Sequence, residues 1–131
     1  MAGELILIVE DNEKNRRLVR DVLQVKGYQT LESETGEEGL RLARERHPAL
    51  VLMDIQLPGM NGIEALKHLR ADAVTRGIPV IAVTASAMTH DRQTIMAAGF
   101  DGYQSKPINV KAFLEAVRQM LDRHAGVGGS P

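Results

Sequence analysis

The sequence predicts an α/β fold: a five-stranded parallel sheet with helices on both faces. Three observations predict it. Short, nearly continuous apolar runs recur along the chain. Segments with helical apolar spacing fill the intervals between them. The length, 131 residues, is that of one domain and not two. Apolar runs that are rich in β-branched residues and lack polar alternation suit strands buried on both faces of a parallel sheet. Strands alternating with helices form βαβ units, whose crossovers place helices over the sheet.

The elements run in order. Leu5, Ile6, Leu7, Ile8 and Val9 make the first strand. After Asn12 comes a helix with Leu18, Val19, Val22 and Leu23 on one face and Arg16, Arg17, Arg20 and Asp21 around them; Gly27 closes it. Residues 28–32 fit a weaker second strand. Thr35 can cap the next helix, with Glu38 three positions on completing a capping box. That helix buries Leu40 and Ala43 and stops before Pro48. Residues 49–53 are the third strand. Asn61 opens a third helix carrying Ile63, Leu66 and Leu69. Residues 80–83 are the fourth strand, and a fourth helix runs from about Thr89 to Ala98, ending at Gly99. Residues 102–105 fit a weaker fifth strand. The last helix carries Phe113, Leu114, Val117, Met120 and Leu121. No sequence motif repeats, which argues against a solenoid. The domain is expected over residues 1–124, with a flexible Gly-rich tail at 125–131.

Composition excludes several classes. There is no cysteine, so disulfide scaffolds, cysteine-ligated zinc and thiol nucleophiles are ruled out together. Lys and Arg number 16 against 17 Asp and Glu, a net charge of -1, without the basic excess of a nonspecific nucleic-acid binder. The aromatics are Tyr28, Phe100, Tyr103 and Phe113, at 3% too few for a base-stacking platform. The first apolar run ends at Glu10 and Asp11, too soon for a signal peptide, and no stretch approaches the roughly 20 apolar residues of a membrane span. The expected location is the cytoplasm, with no membrane and no nucleic-acid partner.

Open α/β sheets bind ligands outside the carboxyl ends of their strands. The polar residue that ends each apolar run is therefore informative. Glu10 and Asp11 come after the first run, Asp54 after the third, Thr84 after the fourth and Lys106 after the fifth, with Pro107 behind it. Singly, each has an ordinary explanation: a loop acid, a helix cap, a structural Thr, a solvated turn. Jointly they put three carboxylates, a hydroxyl and an ammonium on one edge. Gathered carboxylates repel, and a hard divalent cation relieves them; Mg²⁺ takes oxygen ligands from one or two carboxylates and from phosphate oxygens. The expected site is one for phosphoryl transfer with a carboxylate nucleophile at hand. No Gly-x-x-x-x-Gly-Lys loop is present, so a nucleoside triphosphate is not the expected donor.

Four motifs in this order resemble the receiver domain of bacterial two-component response regulators: Val9-Glu10-Asp11-Asn12, the long segment from Leu52 through Asp54 to Gly62, Val83-Thr84-Ala85, and Ser105-Lys106-Pro107. The likeness spans residues 4 to about 123. It implies a flavodoxin-like (βα)5 fold with strand order 2-1-3-4-5. It implies that Asp54 accepts a phosphoryl group from a phosphohistidine on a sensor histidine kinase or a histidine phosphotransfer protein. Asp11 and Asp54 resemble direct Mg²⁺ ligands, the backbone carbonyl of Gln56 a third, and Glu10 a ligand acting through water. Lys106 resembles the lysine that pairs with carboxylate and phosphoryl oxygens, next to a cis peptide at Pro107. Thr84 resembles the hydroxyl that moves onto the phosphoryl group, and Tyr103 the switch aromatic that moves with it. The face of the fourth helix, fifth strand and fifth helix is the implied surface for a downstream protein target or a homodimer. Single-domain members of this kind include the chemotaxis regulator and the cell-division receivers.

Glu10 departs from the two aspartates that many members carry; its extra methylene suits a water-mediated contact. Gln56 and Ser86 occupy positions that, in the family, tune loss of the phosphoryl group. Three rivals stay open: a receiver fragment of a hybrid kinase or longer regulator, a non-phosphorylated pseudo-receiver that only binds partners, and a Mg²⁺-dependent phosphohydrolase. The last generally uses a second acid two residues after the nucleophile, where this chain has Gln56.

Other candidates carry less. His47, His68, His90 and His124 have no metal-ligand spacing and are expected to be solvated. The acidic stretch 32–38 is a loop and helix start, favoured there by the helix dipole. Arg16, Arg17 and Arg20 are expected on a solvated face; the resemblance implies that this helix meets the phosphodonor, with Asn15 and Leu18 as contacts. Met88 and Met96 are expected in the core, with an exposed partner surface on the fourth helix kept open by the resemblance.

Overall fold

The computed structural model describes residues 3–85 and 89–128, the side chains of 89–91 and 125–128 excepted. The elements are β1 (Leu5–Val9), α1 (Glu13–Val25), β2 (Gln29–Ser33), α2 (Gly36–Arg46), β3 (Leu50–Asp54), α3 (Gly62–Ala71), β4 (Val80–Thr84), α4 (Thr89–Ala97), β5 (Gly102–Ser105) and α5 (Val110–Gly128). The five strands form one parallel sheet in the order β2-β1-β3-β4-β5. The fold is the flavodoxin-like doubly wound one that the sequence predicts.

Alternation within each run explains why the runs look continuously apolar. Ile6, Ile8, Leu50, Leu52, Ile81 and Val83 face a core completed by Val19 and Leu23 of α1 and Phe113 and Val117 of α5. Leu7, Val9, Val51, Met53, Val80 and Ala82 face the other core, completed from α2, α3 and α4 by Ala43, Leu66, Leu69 and Ile95. Each of the central strands β1, β3 and β4 is apolar on both sides because each side has its own helical layer.

Asparagine and threonine start α1, α2 and α3. Asn12, Thr35 and Asn61 each accept a hydrogen bond from the backbone N–H three residues on, at 3.0, 3.1 and 2.9 Å. Gly27 has φ 90° and closes the turn after α1. His47 adopts the left-handed conformation, φ 48°, just before Pro48 and ends α2.

Some boundaries differ from the sequence expectation. β2 begins at Gln29, not Tyr28: the Tyr28 N–H is still committed to Leu23 O, at 3.2 Å, in the turn after α1. β3 extends to Asp54, which pairs in register with Val83. The helix α5 is described to Gly128, past the boundary expected at 124, and residues 129–131 lie outside the described residues. No helix among the described residues is long and apolar enough to cross a membrane.

Candidate functional site

Three strand ends build the site. Glu10 and Asp11 leave β1, Asp54 ends β3, and Lys106 comes directly after β5. One carboxylate oxygen from each of Glu10, Asp11 and Asp54 lies within 4.8 Å of the others. Glu10 and Asp54 are each 5% exposed, while Asp11 faces solvent. The Lys106 ammonium reaches into this cluster: Nζ donates to Glu10 Oε1 at 2.5 Å and to Asp54 Oδ2 at 3.1 Å. The Lys106–Pro107 peptide is cis, as expected. The Lys106 backbone N–H donates to Thr84 O at 2.8 Å, which ties the lysine to the end of β4.

Backbone groups fix the acids. The Gln56 N–H donates to Asp54 Oδ1 at 3.0 Å, and the Asn12 N–H donates to Glu10 Oε2 at 3.1 Å. Asn12 thus caps α1 with its side chain while its main chain orients Glu10, a double role that sequence spacing does not reveal. Gly62 opens α3 directly against the end of β3. A Cβ there would lie 2.4 Å from Asp54 O and 2.9 Å from Ile55 Cα, so only glycine admits this approach.

Burial dominates the electrostatics of Glu10. It pushes the carboxyl up to about 7, with the neighbouring Asp54 adding to the shift while Lys106 and the Asn12 N–H oppose it. Burial alone would lower Lys106. Its hydrogen bond to Glu10 and the charge of Asp54 outweigh that and raise it. Three acids against one ammonium leave negative charge uncompensated, and all the donor atoms on offer are hard oxygens. Such a cluster can hold a divalent cation.

Thr84 is 1% exposed at the end of β4, and Tyr103 lies on the adjacent strand β5, half-buried and paired with Ala82. The Arg92 guanidinium lies over the Tyr103 ring, 5.6 Å from its centroid. The Gln56 side chain is exposed; its main chain is what meets Asp54.

Two expectations need correction. Arg16 is not on a solvated face. Its side chain is 12% exposed, donates from Nη1 to Glu10 O at 3.0 Å and pairs with Glu32 at 3.2 Å. β2 carries Glu32 up against α1 and encloses the arginine; Arg17, one step round the helix, stays in solvent. Met96 is 39% exposed, because Ile95 is the residue that α4 turns into the core. Of the histidines, His47 and His68 are exposed, and His124 is half-buried with Nδ1 3.1 Å from Met120 O. Ser86 and Met88, and the His90 side chain, lie outside the described residues.

Fold and site together define a class: a doubly wound α/β domain whose strand ends gather an acidic cluster around one lysine. The chain belongs to the response regulator receiver domain family, whose model matches residues 6–118. It is 50% identical to the polar-differentiation response regulator DivK of Brucella ovis over 116 residues, 88% of this chain and 94% of the relative. The same figures hold for the protein of that name in Brucella melitensis. Among solved structures it is similar to the receiver domain of a sensor histidine kinase from Pseudomonas aeruginosa PAO1, which has a magnesium ion coordinated in its active-site cleft. That likeness has a TM-score of 0.86, 31% identity, and covers 92% of this chain and 99% of that one. A CheY-like receiver from Methanospirillum hungatei JF-1 matches with a TM-score of 0.84 and 31% identity, over 94% and 97%. This protein is a phosphoacceptor receiver of two-component signalling.

Proposed function

We propose that Asp54 is the phosphoacceptor, and that Lys106, Glu10 and Asp11 serve the transfer onto it. The observation that carries this is the Lys106 ammonium shared between Glu10 and Asp54 at the carboxyl edge of the sheet. The donor is a phosphohistidine on a sensor histidine kinase or a histidine phosphotransfer protein. An Asp54 carboxylate oxygen attacks phosphorus, the P–N bond breaks, and its electron pair returns to the imidazole nitrogen of the donor. The acyl phosphate carries about -1.5 to -2 charge, and Lys106 is placed to pair with it.

The oxygen donors fit Mg²⁺, with Asp11, Asp54 and the Gln56 carbonyl as direct ligands and Glu10 acting through water. Bound there, the ion would neutralise carboxylate and phosphoryl oxygens. Thr84 gains a hydrogen bond to the new phosphoryl group, and Tyr103 turns into the space it leaves. The α4–β5–α5 face then changes shape for a downstream protein target or a second copy.

Beside Lys106, Leu18, Val83, Pro107 and Ile108 line a small recess of about 40 Å³. Leu18 is 45% exposed there, which supports donor docking along α1. The similarity to DivK, a polar-differentiation response regulator, supports a place in signalling of that kind; the cytoplasm is the location we propose. The test is chemical mapping: borohydride reduction after acetyl phosphate treatment with Mg²⁺ converts an aspartyl phosphate to homoserine. Peptide masses should place it at position 54; homoserine at position 11 would overturn the assignment.

A further inference from the structure

Tyr103 is held from two directions. Its half-buried ring packs against the core that α2, α3 and α4 cover, and the Arg92 guanidinium lies over it at 5.6 Å from the centroid. Arg92 is an exposed residue of α4, whereas Tyr103 belongs to β5. A cation within about 6 Å of a ring centroid is attracted by the ring quadrupole, and the planar, weakly hydrated guanidinium is suited to stack there.

We propose that Arg92 is a positioning residue for Tyr103, a latch that holds the ring in the arrangement that accompanies the Lys106–Asp54 ion pair and couples α4 to the proposed phosphorylation site. This rests on the proposed movement of Tyr103 when Asp54 is occupied. A contact present in one state and absent from the other biases the equilibrium between them. Arg92 is fixed to α4, so a ring that turns into the space left by Thr84 leaves the guanidinium behind. For an exposed pair the bias is about two- to fivefold in population. Where the active arrangement is the minor one, the apparent affinity of anything that binds only that arrangement scales with its population.

The experiment is a titration of the full chain with beryllofluoride in the presence of Mg²⁺, read by the ring resonances of the two tyrosines. Tyr28 is the internal control, because it lies under Arg118 and apart from the site. Arg92→Gln should tighten beryllofluoride binding about two- to fivefold. It should also move the free protein's Tyr103 resonances toward their saturated positions, leave those of Tyr28 in place, and be only partly rescued by Arg92→Lys, whose ammonium keeps the charge but not the planar stack. In a Tyr103→Leu background the same substitution should change nothing, which isolates the pair. Unchanged or weaker binding by Arg92→Gln, or an equal effect without Tyr103, would overturn the latch alone. A wild-type chain that fails to bind beryllofluoride would overturn the reading of Asp54 together with it.

Discussion

Lys106 Nζ lies 3.1 Å from Asp54 Oδ2, across 52 residues of sequence and across β4, which separates β3 from β5 in the sheet. The contact exists because parallel strands bring all their carboxyl ends to one edge. A buried carboxylate whose only neighbours were Glu10 and Asp11 would be costly; the ammonium offsets that cost until a phosphoryl group competes for it. In the proposed transfer onto Asp54, the same lysine that bridges Glu10 and Asp54 is the one that pairs with the phosphoryl group.

Glu10 gives the metal-free protein a pH signature. Its carboxyl is raised in the fold from an ordinary 4.5 to about 7, so the native state binds a proton that the unfolded state releases. Stability from this group is present below 4.5 and is lost as pH rises through 7. Lys106 is raised above its ordinary 10.5, so its contribution is constant across that window. Urea melts in EDTA should show stability falling as pH rises from 4.5 through 7, and Glu10→Gln should flatten the slope.

As a proposed Mg²⁺ ligand, Asp11 should separate metal binding from folding. It is exposed, and the described structure gives it no role in packing. Asp11→Asn should weaken Mg²⁺ binding by about tenfold or more, while stability changes by less than about 0.5 kcal/mol. Calorimetric titration and thermal melts check the two halves.

Arg16 and Arg17 should behave differently despite being adjacent. Arg16→Ala removes the hydrogen bond to Glu10 O and the pair with Glu32, and should cost about 1–3 kcal/mol. Among the described residues Arg17 pairs only with exposed Glu13, one turn before it, and Arg17→Ala should stay within about 0.5 kcal/mol. Denaturant midpoints at neutral pH compare them.

Gly62→Ala places a methyl group 2.4 Å from Asp54 O. The start of α3 must then move away from the end of β3, which carries the proposed acceptor Asp54. The expected cost is about 1–3 kcal/mol of stability. Phosphorylation should slow with it, measured at a temperature where the variant remains folded.

The fold was legible because two helical layers leave every central strand apolar on both faces, and such runs stand out. The site was legible for a related reason: each run stops abruptly, and the polar residue at the stop marks the sheet's edge. Glu10, Asp54 and Lys106 are found that way and do converge. Enclosure was not legible. Nothing in the helical spacing of Arg16, Arg17 and Arg20 says which one β2 will cover, since that depends on Glu32 arriving from another element. Nor does spacing show that Ile95, and not Met96, turns inward on α4, a helix with only weak amphipathic contrast. The Arg92–Tyr103 contact escaped for the same reason: it joins two elements through exposed or half-exposed side chains that no local pattern links.

Whether Asp54 takes the phosphoryl group with the help of Mg²⁺ can be read from intact mass after incubation with acetyl phosphate and Mg²⁺. The wild-type chain should gain one phosphoryl group, and neither Asp54→Asn nor wild type in EDTA should gain any. An adduct that persists in Asp54→Asn, or that forms equally without Mg²⁺, would refute the assignment.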